Sequence, residues 1–534
     1  MKKNTPHESR LVPIAIFLIF IFFFISTTGL LAQEPRHGGI AYLTQWAEPM
    51  TMISVFNSSA SPGMISPKMH DGLVAYDFKL NPKPALATSW TISPDGLTYT
   101  FNLRQGVLFH DGKPFSSADV KFSLEEGWKK LHPRGKATFA NVTSVETPDA
   151  HTVVFKLSMP APMLMSALAA YESQVIPKHI YEGKDISTHP AANAPIGTGP
   201  FMFKEWKKGE YVRLVRNPNY WDKPKPYLDE VILRVIPDAG ARAAAFEAGE
   251  VHYGGHTPVP LSDMARLKAL PHIGIETRGY EYVSGMMVME VNNQHNALKD
   301  KQVRQALMHA MDRKFIVDNI WFGFGKIATG PIPSTSPFYT TEGVPQYAYD
   351  PKKAERLLDE AGWKRKSDGI RFKMVAVPGP GPEMVRTCEY VKQVFKQVGV
   401  DLEIRAIDLA GFIRDVYSYN FDLSHNWLYM MADPTIGVQR LYWGKNIRKG
   451  VPFANASRYS NPRVDELFEN CQVENDLTKR SAMFAEIQRI IQDEVPLFNI
   501  FEMEFITLYN KKLKNHTIGA EGPMGNLADA YLTD

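Results

Sequence analysis

The hydrophobic positions between residues 84 and 157 alternate with polar ones. In "LTYTFNLRQGVLFHDG" one face of a predicted strand carries the side chains of Tyr99, Phe101 and Leu103, which is the period of a strand with one buried face. A helix is predicted in "PFSSADVKFSLEEGWKK", with Ser116 or Ser117 as its N-cap. A further strand in "HTVVFKLSMP" completes the pattern, so the segment predicts a small α+β module.

The segment 194–275 is rich in Pro, Gly and aromatic residues. The strand patterns "YVRLVRN" and "DEVILRVI" alternate with turn residues. A short helix is predicted from Ala241 to about Ala248, and Gly249 ends it. This part of the chain therefore predicts several short strands and little helix.

From Val288 onward the apolar spacing is mostly that of amphipathic helices. "DKQVRQALMHAMDRKFIVDNIW" places Val303, Leu307 and Met311 on one helical face, and Asp350 with Pro351 begins another helix that ends at Gly362. A helix over 383–397 lies between the strands "FKMVAVPG" and "VDLEIRAI", the order of a βαβ unit with a parallel or mixed sheet. A helix in "LTKRSAMFAEIQRIIQDEVP" and a single strand in "LFNIFEMEFITLY" complete the prediction.

The first 32 residues have the composition of an export signal. Three basic residues precede the apolar run Leu11–Ile25, and Ala32 is a suitable last residue before cleavage. The alternative is an uncleaved membrane anchor, but the run is shorter than the ~20 residues that a spanning helix needs. We expect residues 1–32 to be a cleaved signal peptide and the mature chain to be periplasmic.

Composition and charge exclude several classes of partner. The 534 residues have a net charge of +3, which falls to about +1 once the basic N-terminal segment is set aside, so neither nucleic acid nor acidic lipid is expected.

Length favours two or three domains. Only Cys388 and Cys471 are present; they either pair or remain as buried free thiols.

A search for catalytic motifs is negative. The chain has no G-x-S-x-G elbow, no H-E-x-x-H and no P-loop. His252 and His256 in "HYGGH" are four residues apart, but the glycines between them disfavour a helix that would turn both toward one metal. We expect no catalytic residues, no metal site and no cofactor.

Four long segments together resemble one known family. They cover residues 84–125 ("PALATSWTISPDGLTYTF…"), 196–221 ("IGTGPFMFKEW…NPNYW"), 298–333 ("LKDKQVRQALMHAMD…") and 456–501 ("ASRYSNPRVDELFEN…"). In this order they are similar to the landmarks of extracellular solute-binding proteins of the peptide/nickel class, family 5. They span nearly the entire mature chain.

The resemblance implies an α/β fold of two lobes, the type II periplasmic-binding-protein fold, with a third α+β domain, mixed sheets and a ligand cleft between the lobes. Lobe I is expected to comprise residues 33–56, 195–285 and 505–534. The extra domain is expected over 57–194, packed on lobe I, and lobe II over 286–504.

The resemblance also implies a function in transport. We expect a monomer that captures a peptide or peptide-like solute between its lobes and delivers it to the permease subunits of an ABC importer. The alternative is the same role for an opine, a glycoside-like compound or a metal chelate. An exported hydrolase or a chaperone-like binder is a different class, which no catalytic motif supports.

The ligand-binding candidates center on "WLYMMADP", residues 427–434. Peptide-binding members have a Trp-x-x-Asp pattern here, whose acid binds the ligand amine, but this chain has Met430 at that position. Either Asp433 replaces it or the ligand has no free amine, because a buried ammonium without a carboxylate costs several kcal/mol. The expected ligand-binding residues are Trp46, Tyr282, Trp427, Tyr429, Met430, Asp433 and Arg440.

Overall fold

The computed structural model describes residues 34–534. Residues 36–534 form one compact unit. The predicted signal peptide, residues 1–32, lies outside the described residues. Within 34–534 no helix combines the length and the apolar character needed to cross a lipid bilayer.

A seven-stranded mixed sheet, which we call the first sheet, is built from distant parts of the sequence. Its central strand Ile40–Gln45 runs parallel to Glu230–Val235, and most of its other pairs are antiparallel. In spatial order its strands are Ile273–Glu276, Thr507–Asn510, Tyr253–Gly254, Ile40–Gln45, Glu230–Val235, Tyr211–Arg216 and Phe201–Lys207.

The second sheet has six strands and is also mixed. Strands Phe372–Pro378 and Val400–Ile404 are parallel, with helix Pro382–Gln397 between them, which confirms the predicted βαβ unit. In spatial order its strands are Gly325–Ile327, Leu497–Met503, Val283–Val291, Leu423–Met431, Phe372–Pro378 and Val400–Ile404.

The third sheet is antiparallel and lies where the α+β module is predicted. Tyr99, Phe101 and Leu103 are buried on one face, as their alternation predicts, and Ser116 caps the helix that begins at Ser117. In spatial order its strands are Ala87–Ile92, Thr98–Leu103, Thr152–Leu157 and Val142–Asp149. Two small pairs are Val74–Tyr76 with Pro82–Pro84 and Leu513–Lys514 with Tyr531–Leu532.

Helices of at least nine residues lie mainly in the C-terminal half, as the spacing predicts. They are Ala239–Glu247, Lys301–Ala310, Pro351–Glu360, Pro382–Gln397, Leu409–Tyr417, Pro462–Cys471 and Leu477–Glu494. Shorter α-helices are Ala60–Ile65, Ser117–Phe122, Gly135–Thr138, Ala170–Ser173, Lys178–Tyr181, Met264–Lys268, Arg313–Phe315, Pro434–Gly437 and Gln439–Tyr442. Two π-helical turns, Ser123–Trp128 and Ile316–Ile320, extend helices that begin before them.

The chain passes twice between the first and second sheets. Residues 277–282 lead from Glu276 into Val283, and residues 504–506 lead back from Met503 to Thr507. The segment "LFNIFEMEFITLY" is therefore two strands and not the single predicted one. Its apolar pattern suits both sheets, and only the pairing partners, Gly285 for Met503 and Glu276 for Thr507, divide it.

Both cysteines are buried free thiols, which decides between the two alternatives left by the sequence. Cys388 lies in the hydrophobic core on one side of the second sheet and Cys471 in the core on the other side. Burial raises the pKa of each thiol to about 12. The described fold is thus stabilised by its cores and not by a crosslink.

One buried carboxylate binds two motifs of the sequence landmark 196–221. Asp71 accepts hydrogen bonds from Thr198 of "TGPF" (3.1 Å) and from Trp221 of "NPNYW" (3.0 Å). Burial raises the pKa of Asp71, while these hydrogen bonds act in the opposite direction. The two motifs therefore meet at one polar contact that fastens residues 57–194 to the first sheet.

Candidate functional site

Six aromatic side chains meet where the chain passes between the two large sheets, and we call them the aromatic cluster. Its members are Trp46, His256, Tyr280, Trp427, Tyr429 and Phe505. The His256 ring is the hub, with centroids 5.2 Å from Tyr280 and 5.3 Å from Phe505. Tyr280 and Phe505 belong to the two passing segments, so the cluster joins both sheets at their connection.

Strand Leu423–Met431 supplies two members of the cluster by its alternation. Trp427 and Tyr429 point to the cluster, with ring centroids 5.0 Å apart, and both are half-buried. Leu428 and Met430 point to the opposite face and pack in the core behind the sheet. The strand thus presents alternate side chains to the cluster and to the core.

The backbone turns His256 toward the cluster in an uncommon conformation. His256 and Thr257 both have a φ of 56°, a left-handed conformation that is costly for residues other than glycine. Neither ring nitrogen of His256 has a hydrogen-bond partner within the described residues, although both are buried. Burial lowers the pKa of His256 to about 4, so the imidazole is neutral and offers one donor and one acceptor.

A partly buried ion pair between Arg134 and Glu172, in residues 57–194, lies near Tyr429. The Arg134 guanidinium binds both carboxylate oxygens of Glu172, with an Nε to Oε2 distance of 2.9 Å, and it donates to Ser58 at 3.1 Å. The positive charge of Arg134 lies close enough to act on the pKa of both Tyr429 and Arg440. Met431 and Tyr429 also pack in the hydrophobic core formed mainly by residues 57–194, so this part of the chain meets the second sheet here.

The Arg440 guanidinium is held by two backbone carbonyl groups, one of which belongs to Tyr429. Its Nε donates to Gly437 O at 3.0 Å and its Nη2 to Tyr429 O at 3.1 Å. No acid of residues 34–534 lies within 4 Å of it as an ion-pair partner. Burial lowers the pKa of Arg440 to about 10, which leaves it a cation at neutral pH.

This arrangement of sheets occurs in known proteins. Residues 81–449 match the family described as bacterial extracellular solute-binding proteins, family 5 Middle. The chain belongs to this family. Its architecture is accordingly the mixed α/β, two-lobed periplasmic-binding-protein fold that the sequence resemblance implies.

Three relatives of this solute-binding protein illustrate the range of the family. The oligopeptide-binding protein AppA of Bacillus subtilis is 29% identical over 483 residues, covering 87% of this chain and 86% of AppA; its structure with a nonapeptide has a TM-score of 0.76. The glutathione-binding protein GsiB of Salmonella typhimurium is 27% identical over 472 residues, covering 84% of this chain and 86% of GsiB. The structure of NikZ from Campylobacter jejuni with Ni(L-His) has a TM-score of 0.77 at 26% identity, covering 90% of this chain and 97% of NikZ.

The structure brings four of the seven candidate residues of this solute-binding protein to one place. Trp46, Trp427 and Tyr429 are members of the aromatic cluster, and the Arg440 guanidinium donates to the backbone carbonyl of Tyr429.

Two of the other candidates, Met430 and Asp433, have their side chains elsewhere. Met430 is fully buried in the core behind the second sheet. Asp433 accepts two hydrogen bonds from Arg480, at 2.7 Å and 2.9 Å, and also caps helix Pro434–Gly437. The acid therefore has its own buried cation, and Met430 does not share a surface with Trp427.

The third, Tyr282, is also enclosed in packing. It is fully buried, its hydroxyl donates to Ser166 O at 2.7 Å, and its ring stacks on Tyr76 at 5.1 Å. It ends the first passing segment, but its side chain faces the core of residues 57–194.

Sequence reasoning missed four residues of the site: Arg134, His256, Tyr280 and Phe505. Each comes from a different part of the chain, so no local pattern links them. His256 carries the one available signal, because its neighbours "GG" and "TP" indicate an irregular turn and disfavour a regular element.

We expect His256 to make stability depend on pH. Its pKa is lowered from the ordinary histidine value of about 6.5 to about 4. Between these two pH values His256 therefore carries a proton in the unfolded chain but not in the folded chain. The contribution of neutral His256 to the free energy of unfolding is fully present above this pH window and is lost as the pH falls through it. Between pH 7 and pH 5 the wild-type protein should lose about 1–2 kcal/mol more unfolding free energy than His256→Phe, as measured by urea unfolding at both pH values. An identical pH response in the two proteins would contradict this assignment.

Proposed function

We propose that this solute-binding protein is the periplasmic component of an ABC importer that captures a peptide or peptide-like solute between two lobes and passes it to membrane permease subunits. The observation that carries the proposal is the aromatic cluster at the two passing segments, within a family whose members bind solutes. Flat aromatic surfaces with polar edges suit a solute that is enclosed by closing lobes. The relatives named for oligopeptide and glutathione binding support a peptide.

The proposed lobes follow the sheets. Residues 33–56, 195–285 and 505–534 contain the strands of the first sheet, and residues 286–504 contain nearly all of the second. Residues 57–194 would form the extra domain. Two short passing segments are the usual form of a hinge, since few backbone angles have to change when the lobes close.

A non-peptide solute is the second candidate. Asp433, the acid nearest in sequence to the amine-binding position, is already paired with Arg480, and NikZ binds a nickel chelate. An opine or a metal chelate would use the same cleft without needing that acid.

Identification of the natural ligand separates the two candidates. The mature protein is purified without denaturation and its retained ligand is identified by mass spectrometry, together with thermal-shift screening of di- to pentapeptides, octopine and nickel–histidine. A retained peptide, or stabilisation by peptides alone, supports the first candidate. Stabilisation by octopine or nickel–histidine with no response to peptides rejects it. Light scattering during the purification tests the proposed monomer.

A further inference from the structure

Residues 57–194 touch the proposed lobe II as well as the first sheet. Both ends of this part of the chain continue into the segments that form the first sheet, and Asp71 fastens it there. The second sheet is reached only through the passing segments 277–282 and 504–506. A contact between residues 57–194 and 286–504 therefore joins two parts of the molecule whose covalent connection runs through the proposed hinge.

One polar contact between these two parts lies at the tip of a hairpin. The turn at residues 93–96 belongs to the third sheet, and Gly96 in it has a φ of 69°. Asn475 of lobe II donates from Nδ2 to the backbone carbonyl of Asp95 at 3.4 Å. Within residues 34–534 this is the only hydrogen bond that runs directly between the two parts.

The Asn475 side chain covers Gly96 so closely that no side chain fits there. A Cβ added at Gly96 would lie 1.9 Å from Asn475 Nδ2 and 2.8 Å from its Cγ, well inside the separation of about 3.5–4.0 Å at which such atoms pack. Gly96 is accordingly buried, although Asp95 beside it is exposed. By contrast, Gly106 has a φ of 73° and open space around its added Cβ. The turn at Gly96 is therefore shaped for its contact with lobe II.

Further contacts join the same two parts. Burial raises the pKa of Tyr99 in the third sheet to about 12, and the charge of Arg480 from lobe II is close enough to act in the opposite direction. Met431 and Tyr429, at the end of a strand of the second sheet, pack in the core formed mainly by residues 57–194. Because Tyr429 is a member of the aromatic cluster, residues 57–194 cover one side of the proposed solute site.

We propose that residues 57–194 act as a jaw of the clamp, and that the turn at residues 93–96 docks on Asn475 as a latch when the lobes close on a solute. This inference rests on the proposed solute-binding function and adds the contact that controls release. Closed and open states that differ by few contacts have similar free energies, so a single contact shifts their populations. The latch belongs to neither passing segment, so it can be changed without altering the hinge.

The first test obstructs the latch. Gly96→Ala places a methyl group against Asn475, so the closed state should lose population and the solute should bind about tenfold more weakly, mainly through faster release. Gly106→Ala is the matched control, because it puts the same residue into a left-handed turn position of the same part of the chain with open space around it. It should bind like the wild-type protein. Asn475→Ala removes the amide that the methyl group meets, so adding it to Gly96→Ala should restore most of the affinity.

Affinities and release rates are measured by calorimetry and stopped-flow tryptophan fluorescence. The probe is whichever of the di- to pentapeptides, octopine and nickel–histidine stabilises the wild-type protein most in the thermal-shift screen. Equal affinities for Gly96→Ala and Gly106→Ala would overturn the proposal, because the contact would then be a fixed part of the fold.

The second test locks the latch and does not depend on the folding of Gly96→Ala. Because a Cβ at position 96 lies 2.8 Å from Asn475 Cγ, the pair Gly96→Cys, Asn475→Cys is close to the Cβ separation of about 3.5–4.5 Å that a disulfide needs. Both native cysteines are buried free thiols and should not compete. The oxidised double variant should release the probe at least about tenfold more slowly than the same protein after reduction. The two single-cysteine variants are the controls and should not respond to reductant. Failure of the introduced cysteines to pair, or equal release rates in the two redox states, would overturn the proposal.

Failure of the proposed function gives a different result. If no probe binds and the purified protein retains no solute, solute capture is rejected, and small-angle X-ray scattering of the double variant decides the inference about the latch. A smaller radius of gyration in the oxidised than in the reduced protein supports a jaw that moves. Equal radii in the two redox states would overturn it.

Discussion

Replacing Arg480 by methionine is expected to destabilise the protein by about 3–5 kcal/mol, the usual effect of removing one member of a buried ion pair. Arg480 and Asp433 are both almost fully buried, and the Nη1 to Oδ2 distance is 2.7 Å. The Arg480 side chain also donates to Cys471 O and packs on the ring of Phe338 at 4.9 Å. Without it Asp433 is left as a buried charge with no cation, at the end of the strand that carries Trp427 and Tyr429.

Urea unfolding followed by tryptophan fluorescence measures this effect. Arg463→Met is the matched control, since its ion pairs with Glu466 and Glu486 are exposed and such pairs contribute about 0–1 kcal/mol. The double variant Asp433→Asn, Arg480→Met should recover part of the loss, because it no longer contains the uncompensated charge. Equal unfolding midpoints for Arg480→Met and Arg463→Met would contradict the role assigned to the pair.

Replacing Phe505 by alanine is expected to cost about 3–5 kcal/mol of stability, as for other large-to-small changes of buried aromatic residues. It is also expected to weaken solute binding. Phe505 is 5% exposed and its ring lies 5.3 Å from His256 and 5.8 Å from Trp427. Because it belongs to the passing segment 504–506, its loss removes packing from the site and from the connection between the sheets together.

The control for this second prediction is Phe395→Ala. Phe395 is fully buried in helix Pro382–Gln397, away from the aromatic cluster, so it should lose similar stability and keep its solute affinity. Unfolding curves and calorimetry with the retained solute are measured on all three proteins. Loss of affinity in Phe395→Ala equal to that in Phe505→Ala would show that general destabilisation, and not the site, explains the result.

Local patterns predicted individual elements well where one face is buried. The alternation around Tyr99 predicted a half-buried strand, and Asp350 with Pro351 predicted the start of a helix; both are confirmed. These features depend on residues only a few positions apart, so the local sequence is enough to predict them. The single strand predicted in "LFNIFEMEFITLY" is wrong for the opposite reason, since its division depends on strands more than 200 residues away.

The position of Met430 illustrates that a sequence motif does not specify which face of a strand each of its residues occupies. Residues 427 and 430 are three apart, and in a regular strand odd spacing places side chains on opposite faces. Trp427 accordingly faces the aromatic cluster while Met430 packs in the core. Asp433 lies two positions beyond the strand, where Arg480 from a distant helix binds it.

The sequence by itself determined the family, most of the helices and strands, and the location of Trp427 and Tyr429 on one strand. Only the tertiary structure decided which side chains meet: it joined His256 to Phe505, paired Asp433 with Arg480 and, among residues 34–534, gave the Arg440 guanidinium carbonyl partners and no ion-paired carboxylate. The physical reason is that periodicity and capping are local properties of the chain, whereas ring contacts and charge balance depend on residues brought together by folding from distant positions.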